Sequence, residues 1–176
     1  PTPDLTPAPD LSGGGGGALV VFGDDYGTGV SFAPFGGSTN DVTVDNTEHH
    51  TGTAALKINV PNSGYTGGAF KAGAATDLSG YTAVTFWAKA SKAVLIDKFG
   101  IGNDANDATY QAEWAPVPLT TNWTQYAVII PAPAKLTKAT GLFHFAQGGN
   151  GPYTIWLDDV QYENVAQNVL GNPAPA

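Results

Sequence analysis

Carboxylates and aromatic rings are the residues of this chain with the most chemistry to offer. The acids include two adjacent pairs, Asp24-Asp25 and Asp158-Asp159, and only three glutamates, Glu48, Glu113 and Glu163. A glycosidase needs two carboxylates facing each other across a cleft, roughly 5–10 Å apart, one with a raised pKa. Asp104 and Asp107 lie in GNDAND and read as turn formers. His49-His50 precedes a turn and reads as surface, and His144 is isolated on a strand. A lyase needs a base plus cations to neutralise a uronate, yet the chain has 7 Lys and no Arg. Gly-x-Ser-x-Gly, zincin and phosphate-loop motifs are absent. The chemistry is therefore read as binding, with a small polysaccharide lyase or glycoside hydrolase as the alternative.

The rings suit sugar. Indole and phenol faces stack on the apolar C–H faces of a pyranose while polar neighbours fix its hydroxyls. In TAVTFWAKA (82–90) Val84, Phe86 and Ala88 share one face, and Thr85, Trp87 and Lys89 the other. Trp87 is either a sugar platform or packing beneath a loop. Phe143 and Phe145 flank His144, which must face the opposite way, with Gln147 further along the strand. In ATYQAEWAP, Tyr110 and Trp114 share a face, and Gln111 and Glu113 share the other. Period-2 alternation does not say which face is outward. Candidate sugar contacts are thus Trp87, Lys89, Tyr110, Gln111, Glu113, Trp114, His144 and Gln147. Asn122-Trp123-Thr124 forms a glycosylation sequon.

These residues must be positioned by strands. Short runs rich in Val, Thr, Ile and aromatics recur at 18–24, 29–35, 41–46, 54–60, 67–72, 82–90, 94–101, 108–115, 123–130, 141–147 and 153–162. Helix periodicity is missing, apart from room for one turn in AKLTKATG (134–141). Such a pattern predicts an all-β fold, two sheets packed as a β-sandwich.

The flanks differ. Residues 1–18, PTPDLTPAPDLSGGGGGA, and residues 164–176, ending in NPAPA, cannot bury much apolar surface and read as linkers around one domain at 19–163. Charged residues are 12% of the chain and the net charge is −8, which argues against nucleic acid and anionic lipid. Cysteine is absent, so no disulfide or thiol chemistry is available, and no apolar run is long enough for a membrane span.

Three stretches carry a resemblance in order along the chain: HTGTAALKI (50–58), DLSGYTAVTFWAK (77–89), and NWTQY (122–126) with IWLDDV (155–160). Together they resemble the galactose-binding-like jelly-roll carbohydrate-binding modules, the group including families 4, 11, 22 and 30. The resemblance implies a jelly roll whose first and last strands lie together, with Trp123 in its core. It implies a structural calcium there, held by Asp24, Asp25, Asp158 and Asp159 with Glu48 added from a loop. It also implies a groove on one sheet, built from strands 82–90, 108–115 and 141–147. The competing location is the loop end around Tyr65 and Tyr153. The function implied is non-catalytic polysaccharide binding, a neutral β-glucan first, that targets an attached enzyme in a secreted or cell-surface, monomeric, multimodular protein. A surface adhesin or structural β-sandwich is the other alternative.

Overall fold

The computed structural model describes residues 18–38, 42–102 and 110–165. The proposed linkers fall almost wholly outside these residues, as do Asp104 and Asp107. Among the described residues thirteen strands run in order: β1 (Leu19–Phe22), β2 (Val30–Pro34), β3 (Val42–Asp45), β4 (Ala55–Val60), β5 (Tyr65–Thr76), β6 (Ala83–Ala90) and β7 (Val94–Ile96). They continue with β8 (Lys98–Gly102), β9 (Gln111–Trp114), β10 (Val117–Leu119), β11 (Thr124–Ile129), β12 (Ala139–Gly148) and β13 (Tyr153–Glu163). A 3-10 turn at Pro133–Lys135 stands close to where the sequence allowed one. No helix among the described residues is long and apolar enough to cross a membrane.

The strands form two sheets of a sandwich, confirming the fold class. One sheet has the order β11-β6-β13-β4-β3, with β1 also paired to β13. The other runs β2-β5-β12-β8-β9, and β7 and β10 make a small ribbon. First and last strands do lie together, with Leu19 opposite Tyr162. Two details differ from the sequence reading. The run 94–101 is split into β7 and β8, which join different sheets, and Val117–Leu119 pairs with β7 although its proline hides a strand.

Alternation explains the core. From the six-stranded sheet Phe86 points inward and meets Phe99 at 5.0 Å and Phe143 at 5.2 Å between ring centroids. Those two partners come from β8 and β12 of the opposite sheet. Phe70, Phe145, Ile155, Leu157 and Tyr162 extend the same buried layer. Burial pushes the Tyr162 hydroxyl far up, and it donates to the Leu142 carbonyl across the sandwich. Side chains at the intervening positions must then face away from the core, and they create two outer faces.

Candidate functional site

The groove expected from strands 82–90, 108–115 and 141–147 is not on one sheet. Residues 83–90 are β6 of the six-stranded sheet, while β9 and β12 belong to the five-stranded sheet. Alternation assigns a face to each side chain but not a sheet to each strand. Here β6 is held between β11 and β13, with Trp87 opposite both Gln125 and Asp158. The candidates therefore divide between the two outer faces.

On the five-stranded sheet, one row across the strands reads Ala33, Ala69, His144, Gly100 and Glu113. The next row brings Gly67, Ala146 and Lys98 together. All of these alternate with the inward Phe32, Phe70, Phe145 and Phe99, so they face outward. Yet Gly67, Ala69, Gly100 and His144 are buried. The row is thus a floor of small residues, with the Phe35 ring against Gly67 and the His144 ring over Gly100. A Cβ at Gly100 would overlap the His144 ring and approach the Ala112 carbonyl oxygen at 2.8 Å, so glycine is required there.

Polar groups stand along one side of this floor. His144 Nε2 is 2.9 Å from Glu113 Oε1, and Lys98 Nζ donates to Glu113 Oε2 at 2.9 Å. Gln111 Nε2 donates to the same carboxylate. Partial burial pushes the Glu113 carboxyl up, but the hydrogen bonds and charges of Lys98 and His144 outweigh it and hold it below the ordinary value. An ionised carboxylate only accepts, so His144 carries its proton on Nε2. Burial drives the imidazole below its ordinary value against the pull of Glu113. On the other side, Phe35 lies against Gly67, with its N–H donating to the Gly67 carbonyl at 3.0 Å. The Tyr65 hydroxyl donates to the Gly36 carbonyl and closes that turn. Phe35 was not singled out from the sequence, although FGG beside a distant GG pair is a trace of this close approach.

The open alternative in ATYQAEWAP is settled by register. Tyr110 and Trp114 pack against the core, Trp114 at 5.8 Å from Tyr126, and the Tyr110 hydroxyl accepts from Ala132 N. Gln111 and Glu113 are exposed. Gln147 also turns inward: it is buried, its Oε1 accepts from Asp97 N at 2.8 Å, and its Nε2 donates to the Gly148 carbonyl at 3.1 Å. Tyr110, Trp114 and Gln147 are thus placed away from the outer face. At the loop end, Tyr153 is buried and lies under Lys92 Nζ, 4.8 Å from the ring centre; burial and the Asp97 charge push its hydroxyl up to about 12.

On the six-stranded sheet, Trp87 is covered. The His50 ring stacks on it at 3.8 Å and 14°. Lys89 pairs with Glu48 at 3.2 Å, and Trp123 Nε1 donates to Glu48 Oε1 at 3.2 Å. Trp123 therefore lies on this face and not in the core, contrary to the sequence reading. Trp156, missed in the sequence, lies beside Lys89 and donates through Nε1 to Asp45 Oδ2 at 3.1 Å.

Three of the four paired acids, Asp24, Asp158 and Asp159, clasp the loop that carries Glu48 and His50. Asp24 accepts from the N–H groups of Thr53 and Ala54, which hold its carboxyl low. Asp158 Oδ2 accepts from His50 N at 2.7 Å and Thr51 N at 3.1 Å, while burial lifts its carboxyl above the usual range. Asp159 accepts from the Thr51 hydroxyl at 2.9 Å and lies 3.2 Å from His50 Nδ1. Asp25 accepts from Tyr26 N at 2.8 Å. Gly52, at φ 61°, leaves no room for a Cβ beside Asp24. The five carboxylates named for calcium do not gather in threes. Glu48 is committed to Lys89 and Trp123, the other carboxylates accept from N–H and O–H donors, and no group of three acids or histidines among the described residues converges on one point.

Comparison with known proteins places this geometry. No curated protein sequence matches the chain. A crystal structure of a family 30 carbohydrate-binding module is 19% identical, with a TM-score of 0.58 over 90% of this chain and 92% of that one. A variant of a family 29 carbohydrate-binding module complexed with cellulohexaose is 13% identical, with a TM-score of 0.59 over 89% and 97%. Another family 29 variant, complexed with mannohexaose, is 13% identical, with a TM-score of 0.59 over 89% and 98%. These likenesses show the sandwich fold. The family profile described as Carbohydrate binding domain 30 matches residues 18–164, nearly the whole sandwich, and the chain belongs to that family of carbohydrate-binding modules.

Proposed function

We propose that this module binds an extended, uncharged β-linked glycan, a β-glucan first, on the outer face of the five-stranded sheet, and so targets an attached enzyme to polysaccharide. The observation that carries the reading is the outward floor of Gly67, Ala69, Gly100 and Ala146, of which Ala146 is half-buried and the others are covered, with Phe35 and Tyr65 on one side and Gln111, Glu113 and Lys98 on the other. A flat sugar chain needs apolar surface for its C–H faces, here Phe35, Tyr65 and Ala146, all half-buried, and polar groups at the margin for its hydroxyls. The net charge of −8 disfavours an anionic polymer. Family 29 relatives were solved with cellulohexaose and mannohexaose, both neutral hexasaccharides. Xylan and galactan follow as second choices.

The reading is non-catalytic. Glu113 is bonded to His144 and Lys98, and glycoside hydrolysis takes a pair of carboxylates facing each other across a cleft. Secretion and linkage to other modules are part of the same proposal, supported by the Pro-, Thr- and Ala-rich opening. Pull-down on insoluble cellulose, mannan, xylan and galactan tests binding, and reducing-sugar release with 235 nm absorbance tests catalysis. Retention on a neutral glycan without product is expected; product release, or retention on none, overturns the proposal.

A further inference from the structure

We infer that the outer face of the six-stranded sheet is a second carbohydrate-binding surface, made for one uncharged glycan chain lying across β11, β6, β13 and β4. Three of the four tryptophans, Trp87, Trp123 and Trp156, lie outside the hydrophobic core and are half-buried on this face. A single row across the strands reads Lys89, Trp156, Lys57 and Thr43. Trp123, immediately before β11, extends that row past Lys89. The Lys89 ammonium lies between two indoles, 5.8 Å from the Trp123 ring centre and 5.4 Å from that of Trp156. Neighbouring strands are about 4.8 Å apart, so the two rings are separated by roughly 10 Å. That span is close to the length of two sugar units in an extended β-linked chain.

The electrostatics select an uncharged ligand. Lys89 is paired with Glu48 at 3.2 Å, and Lys57 with Asp45 at 3.5 Å. Each cation on the row is already neutralised, so a polyanion gains no free charge, while hydroxyl groups find both ammonium donors and carboxylate acceptors. Both indole N–H groups are held by carboxylates, Trp123 by Glu48 and Trp156 by Asp45, which fixes the rings before a ligand arrives. Trp87 takes no part as a platform, because His50 occupies its face; that stack forms the wall of the strip. The two outer faces lie on opposite sides of the sandwich, so one molecule would bridge two chains.

The test is a nuclear magnetic resonance titration of the full chain with cellohexaose, mannohexaose and xylohexaose, reading the four indole N–H signals and the Ala146 amide. The Trp123 and Trp156 indole signals should move with at least one sugar, while the core-packed Trp114 signal stays still. Trp156→Ala should weaken this response about tenfold or more and leave the Ala146 response intact. Lys89→Ala, which leaves all indoles in place, should do the same and covers the case in which the first variant does not fold. Indole signals unmoved by all three sugars overturn the second surface, whatever Ala146 does. An Ala146 amide that stays still while the indoles respond leaves the second surface standing and removes the first.

Discussion

The two outer faces of the sandwich follow the same alternation and carry opposite materials. The five-stranded face is built from glycine and alanine, with a buried imidazole and one carboxylate at its margin. The six-stranded face is built from three indoles and paired charges, over a loop clasped by Asp24, Asp158 and Asp159. One face is lined by small residues under partial cover, the other by large rings.

The strongest way to break this contrast is at Glu113. Glu113→Ala leaves the fully buried His144 Nε2–H without its acceptor and removes the partner of Lys98. We expect a loss of about 1–3 kcal/mol in chemical denaturation, the scale of stranding a buried polar group. A loss below a few tenths would mean the network does not support the floor. On the opposite face, Asp158→Ala frees the N–H groups of His50 and Thr51. The expected cost is about 0.5–2 kcal/mol, the range for losing a side chain that caps backbone donors. Tryptophan emission should shift as His50 leaves Trp87; unaltered emission would show that the loop holds itself.

A smaller effect is the pH dependence. Burial lowers the folded-state pKa of His144 below its unfolded value, so the unfolded chain binds more protons in that window. Stability should be flat above about pH 7.5 and fall as pH drops through about 6.5. Asp158 acts with the opposite sign. Its folded-state pKa is raised, so its contribution is present at low pH and declines as pH rises above the unfolded carboxylate value of about 3.9. The difference between the protein and His144→Gln isolates the histidine; identical slopes between pH 5.5 and 7.5 would contradict its buried, neutral state. The smallest expected effect is that of a chelator. With the acids spent on loop donors, EDTA should leave the melting temperature unchanged, and a fall reversed by calcium would make those acids ligands after all.

Much of the fold was legible because alternation and turn chemistry are local. Phe86, Phe143 and Phe145 face the core as their spacing demanded, and β1 lies against β13 as the resemblance implied. Sheet membership was not legible, because it depends on partners far away: Trp87 is opposite Gln125 and Asp158, not opposite any residue of β9 or β12. The outward turn of Gln111 and Glu113 was left open for the same reason, since alternation has two phases. The floor itself escaped notice because Gly67, Ala69, Gly100 and Ala146 carry no chemistry of their own. Their meaning arises only when three strands bring them side by side.

Ala146→Leu tests the central claim most directly. Ala146 is half-buried on the floor, between Gly67 and Lys98. A larger side chain there stands beside Lys98 on the floor and leaves Glu113, His144 and the indole face in place. Calorimetric titration with the neutral glycan retained in pull-down should show affinity reduced by tenfold or more, equivalent to about 1.4 kcal/mol, with the melting temperature within a few degrees of the unaltered protein. Unchanged affinity in the folded variant would contradict the account and move the binding site off the five-stranded face.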